Sequence, residues 1–94
     1  MLAYQYNNKD IEIVESRNGE DIEFHLQVLD HVEEILPKLK AVRAFFESDD
    51  VYTDVLFYTY PNHRYSAIVR PEFYADFVLQ LMKHKLLIQV EWVD

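Results

Sequence analysis

The chain has 94 residues, half of them apolar and 15% aromatic, with 17 acidic against 9 basic residues and a net charge of −8. That is enough for one packed core and too short for a second domain, so residues 1–94 are read as a single domain whose negative field disfavours direct binding to nucleic acid or anionic membranes. The lack of cysteine excludes disulfides, thiolate metal sites and cysteine nucleophiles; no stretch approaches the roughly 18 apolar residues of a membrane span, and the chain is read as cytoplasmic.

The first 34 residues hold nine of the acids against Lys9 and Arg17, a net of −7, and up to Val28 they pattern as strands. Asn18-Gly19 between two alternating runs is the strongest short hairpin signal, because such a turn needs positive φ. Taken as a two-residue loop, it sets Ile13 opposite Phe24, Ile11 opposite Leu26 and Glu12 opposite His25. A second turn at Asn8-Lys9 sets Tyr6 opposite Ile11 and Tyr4 opposite Ile13. Leu2, Tyr4, Tyr6, Ile11, Ile13, Ile22, Phe24, Leu26 and Val28 then share one face, with Gln5, Glu12, Glu23, His25 and Gln27 on the other. Two turns placed independently agree on this sorting, which predicts a three-stranded antiparallel meander.

Asp30 followed by Glu33 is a helix-start pattern, and Val32, Ile35, Leu36, Leu39, Val42, Phe45 and Phe46 recur at helical spacing. Pro37 lies inside the helix expected over about residues 30 to 47, so the helix carries a defect there or starts near Leu36 after a short turn. Ser48-Asp49-Asp50 ends it. The stretch DVLFYTYPNHRYSAIVRP, residues 54–71, reads as two strands around a Pro61-Asn62 turn. With a two-residue loop, Tyr58 pairs with Tyr65 and Leu56 with Ala67, and neither face is cleanly polar. Pro71 at a first helical position, Glu72 and Asp76 near the start and Lys83, His84 and Lys85 near the end predict a second helix, with Phe73, Phe77, Val78, Leu81 and Met82 as its stripe. LLIQVEWV reads as a last strand, with Leu86, Ile88, Val90 and Trp92 on one side and Gln89 and Glu91 on the other.

The expected architecture is α+β, a two-layer sandwich in which a mostly antiparallel sheet carries two helices on one face, in the order β-β-β-α-β-β-α-β. From about residue 21 this order resembles the split βαββαβ unit of ferredoxin-like domains, preceded by an extra N-terminal hairpin. Such a resemblance carries no activity with it, because many unrelated functions share that order.

Two helices cover one side of such a sheet and leave the other open. With Val55, Phe57 and Ile68 against the helices, Tyr58, Tyr60, Tyr65 and His63 lie on the open side beside Glu12, His25, Gln89 and Glu91. The alternative keeps the tyrosines in the core with their hydroxyls at the rim, and a three-residue loop would swap the faces. Catalytic patterns are weak: His25 opposite Glu12 reads as a surface pair, His31 and Glu34 share a helix face, and His63-Arg64 sits on a turn. There is no HExxH, no calcium loop and no phosphate-cradling glycine pattern, so neither metal nor cofactor is expected. The sequence points to a small, acidic, non-enzymatic interaction or regulatory domain that works through its open tyrosine-rich face. It would do so as a homodimer or by docking a protein partner, with Tyr58, Tyr60, His63, Tyr65, His25 and Glu12 as binding residues. Two alternatives stand beside it: an acidic mimic of nucleic acid that inhibits a basic-grooved protein, and a small-molecule binder with a pocket near His25, His63 and the tyrosines.

Overall fold

The computed structural model describes residues 1–47 and 55–93. Its strands are β1 (Leu2–Gln5), β2 (Ile11–Asn18), β3 (Asp21–Val28), β4 (Val55–Tyr60), β5 (Arg64–Val69) and β6 (Gln89–Trp92). Its helices are α1 (Val32–Glu47) and α2 (Tyr74–Lys83), the second entered through a 3-10 turn over Pro71–Phe73. The protein is α+β, and each strand pair among the described residues is antiparallel.

The β2–β3 hairpin forms where alternation predicts it, with a loop one residue later. Asn18 pairs with Asp21, Ile13 with Leu26 and Ile11 with Val28, so Glu12 stands opposite Gln27 and not His25. Gly19 takes φ +64 as the first of two central residues, and Glu20 has no positive φ, the pattern of a type II′ turn. The register differs from expectation by two residues, and a shift of two returns every side chain to its own face. Ile11, Ile13, Phe24, Leu26 and Val28 are accordingly all buried.

β1 departs from the meander. It pairs with β6, Leu2 opposite Trp92 and Gln5 opposite Gln89, in a separate two-stranded ribbon. In place of a strand, the Tyr6 hydroxyl lies on the edge of β2, donating to the Ile13 carbonyl at 3.1 Å and accepting from the Ile13 amide at 3.2 Å. The larger sheet runs β2-β3-β5-β4. A ferredoxin-like sheet would bring β6 back beside β3. Here β2 already holds that edge, and β6 is diverted to β1. The expected single sheet is therefore two, and its expected strand order is not found.

α1 runs unbroken through Pro37, whose side chain is exposed, so the missing amide costs a hydrogen bond and not the helix. Ile35, Leu39 and Val42 of α1 and Phe77, Val78 and Leu81 of α2 are buried. Phe77 is the hub, its ring centroid 4.6 Å from that of Phe24, 5.8 Å from Phe46 and 6.0 Å from Phe57. Phe77 of α2 thus lies against the sheet side that carries Phe24 and Phe57, and Phe46 of α1 comes within 6.4 Å of Phe57, centroid to centroid, on that side. α2 ends in a Schellman turn, with Leu86 N–H donating to Leu81 C=O and Lys85 N–H to Met82 C=O, and Lys85 at φ +62 where glycine is usual. That turn sends Leu86 and Leu87 into the core and shortens β6, leaving Ile88 and Trp92 exposed although the alternation placed both on an apolar side. The Ser48-Asp49-Asp50 helix stop, Thr53 and Asp54 lie outside the described residues.

Candidate functional site

Tyr60 pairs with Arg64, so the β4–β5 loop is Pro61-Asn62-His63, three residues and not two. Asn62 and His63 both adopt positive φ, at 65° and 58°. The loop is tied to the end of β3: Gln27 Nε2 donates to the Asn62 carbonyl at 2.7 Å and Val28 N–H to the His63 carbonyl at 3.1 Å. One extra loop residue slides β5 against β4 and turns Tyr65 toward the helices. Tyr65 is half-buried beside Ala67 and Val69 on the core side, and His63 is a turn residue, so neither belongs to the open face. Tyr58, Tyr60, His25 and Glu12 do belong to it. Gln89 and Glu91, expected beside it, sit in the β1–β6 ribbon.

The open face can be read as three rows across β2, β3, β5 and β4. The central row is Val14, His25, Ser66 and Tyr58, flanked by Glu12, Gln27, Arg64 and Tyr60 and by Ser16, Glu23, Ile68 and Leu56. Val14, Leu56, Tyr58 and Tyr60 keep 41–48% of their surface in solvent, whereas Ser66 at the centre is buried between its neighbours. His25 and Glu12 do not meet; His25 Nε2 lies 2.6 Å from Glu23, two residues along its own strand. The Arg64 guanidinium stacks over the Tyr60 ring, 5.3 Å from its centroid. A shallow depression of about 550 Å³ runs over Glu12, Val14, His25, Gln27, Tyr60 and Arg64. The face is therefore acidic over β2 and β3, and aromatic and basic over β5 and β4.

That depression lies beside His25 and Tyr60, where a pocket is expected, but His63 does not line it, and a second groove opens elsewhere. About 480 Å³ opens between Glu15, Arg17, Ile22, Tyr74 and Trp92. Glu15 continues the inward row of Ile11 and Ile13, and its carboxylate accepts from the Tyr4 hydroxyl at 2.8 Å and the Tyr74 hydroxyl at 3.0 Å. Burial, reinforced by the Glu15 charge, pushes the Tyr74 phenol up to about 12 and the Tyr4 phenol higher still. An acid in an inward-facing register was the signal for this cluster. His31, read beside Glu34, instead bonds Asp10, Nδ1 to Oδ1 at 2.7 Å, while its amide donates to Asp30 Oδ1 at 2.7 Å. The hydrogen bond to Asp10 and its charge, followed by Asp30, raise the His31 pKa. Ligand atoms of Asp10, Asp30 and His31 lie within 4.8 Å of one another, but these bonds already serve to fasten the β1–β2 loop to the start of α1.

No protein-family model, no curated protein and no solved structure matches the chain.

Proposed function

We propose that the chain is a small, non-enzymatic interaction domain that docks a protein partner on the open face of the β2-β3-β5-β4 sheet. One observation carries this reading: Val14, Leu56, Tyr58 and Tyr60 are large apolar or amphipathic side chains, close to half exposed, on a face to which neither helix contributes. Tyrosine suits such a role because it offers wide contact area with a polar tip and little rotamer entropy to lose. Acids on one half of the face and Arg64 on the other give it a direction in which a partner can be oriented.

The test pairs Val14→Ser with Tyr60→Ser, both exposed and clear of the core. In-cell crosslinking followed by mass spectrometry should enrich a protein with the native chain and lose it with the double variant, while both melt alike. Equal capture by the variant, or its unfolding, would refute the reading.

The Glu15 groove favours a second reading, a small-molecule binder. A ligand specific to the native state must raise the melting midpoint, so a metabolite screen by thermal shift should show a hit that Tyr74→Phe weakens; a flat screen removes this reading.

A further inference from the structure

The two edges of the larger sheet differ. Ile11 N–H donates to the Asn7 carbonyl, and both backbone groups of Ile13 are taken by the Tyr6 hydroxyl, so the outward edge of β2 is occupied at these positions. Those bonds also set the hydrogen-bonding phase of the whole sheet. In an antiparallel pair, residues alternate between facing the partner strand and facing away. Odd-numbered residues of β2 point away from β3, so even-numbered ones bond to it. Carried through the registers Glu12 with Gln27, Leu26 with Tyr65 and Ser66 with Tyr58, the alternation leaves the backbone N–H and C=O of Val55, Phe57 and Thr59 pointing out of the far edge of β4. Among the described residues none of these groups has a backbone partner beyond the β4–β5 ladder.

β4 also lacks the usual protections of an edge. VLFYTY holds no charge, proline or glycine and is built wholly from strand-favouring residues with one leucine. Two copies each carrying −8 repel, but no acid lies between Val55 and Pro71. β2, which carries Glu12 and Glu15, forms the opposite edge, three strand spacings or about 14 Å away. β4 is thus the sheet edge at which two copies meet with least repulsion.

We infer that β4 pairs antiparallel with β4 of a second copy, joining the two sheets into one of eight strands. The register follows from the outward groups. Only with Phe57 opposite its own counterpart, and Val55 opposite Thr59, do all three outward residues of each strand find outward partners. That pairing is isologous, as a two-fold dimer requires. It keeps the helices of both copies on the same side and sets Leu56 against Tyr58 of the other copy on the open side, doubling the exposed apolar face. The inference rests on the edge and stands whether or not the face docks a partner.

Light scattering over a dilution series should give twice the 11.3 kDa chain mass at high concentration. Thr59→Pro removes an outward amide and spares the ladder to β5, so it should preserve the circular dichroism spectrum and weaken the dimer about tenfold or more. Because the chain has no cysteine, Leu56→Cys with Tyr58→Cys should oxidise to a covalent dimer across a pair whose Cα atoms are about 4.5 Å apart, whereas Leu56→Cys with Tyr60→Cys should not. A monomer at every concentration, a dimer indifferent to Thr59→Pro, or crosslinking by the second cysteine pair alone would overturn the inference. Should Thr59→Pro fail to fold, the cysteine pairs decide. Val14→Ser with Tyr60→Ser spares Val55, Phe57 and Thr59, whose outward backbone groups make the pairing, so a failure of partner docking and a failure of self-pairing are read separately.

Discussion

Glu15 shows how one residue out of pattern organises its surroundings. A carboxylate in the inward row of β2 must be given donors or be protonated, and two tyrosine hydroxyls supply them. Its inward parity is legible in the alternation of IEIVE; its partners are not, since Tyr74 lies 59 residues away. Both phenols hold their protons more tightly in the native state than in the unfolded chain, where tyrosine titrates near 10. Their contribution is therefore complete below about pH 10 and is lost as pH rises through about 12, the folded value of Tyr74. The melting temperature should fall above about pH 10, and tyrosinate absorbance should show two of the seven tyrosines ionising only as the chain unfolds. Glu15→Gln removes the charge that adds to burial in opposing ionisation and should bring the Tyr74 phenol part of the way back toward the ordinary range, burial holding the rest; late titration unchanged by Glu15→Gln would deny the carboxylate this role.

At the scale of elements, the two hairpins differ in how much an error of register costs. In β2–β3 the loop falls one residue later, the pairing shifts by two and every face survives, because side chains alternate with period two. In β4–β5 the loop is three residues, the pairing shifts by one, and Tyr65 moves from the open face to the core side. Positive φ at both Asn62 and His63 makes the difference, and Pro61-Asn62 read alone does not disclose it. Pro37 makes the converse point. Tertiary packing of Ile35, Leu39 and Val42 holds α1 together across a residue that disfavours it. Since the ring is exposed and nothing in the core depends on it, Pro37→Ala should raise stability by about 2 kcal/mol, read from chemical denaturation. A loss of stability would mean that the proline fixes the entry angle of the helix.

For the whole molecule, the decisive event is the competition for the edge of β3. The β2–β3 hairpin closes locally, with two loop residues, and so takes the place that β6 would have to reach from the far end of the chain. β6 then meets β1, and the protein is left with a two-stranded ribbon of four residue pairs beside a four-stranded sheet. A two-stranded ribbon is marginal by itself and depends on the side chains it sends into the core, here Leu2, buried, with Tyr4 and Val90 partly buried against it. Native-state hydrogen exchange should accordingly find the amides of β1 and β6 opening well below the global unfolding free energy, while those of β3 and β5 exchange only with global unfolding. Equal protection would make the ribbon part of a single cooperative unit. The sequence by itself determined where strands and helices lie and which side chains of β2, β3, α1 and α2 face inward, because these follow from side-chain periodicity within one element. Which strands are neighbours, which side of the β4–β5 hairpin is open and which edge is unpaired among the described residues were decided only by the tertiary structure. Those depend on loop φ angles and on competition between segments far apart in the chain, and no local pattern records either.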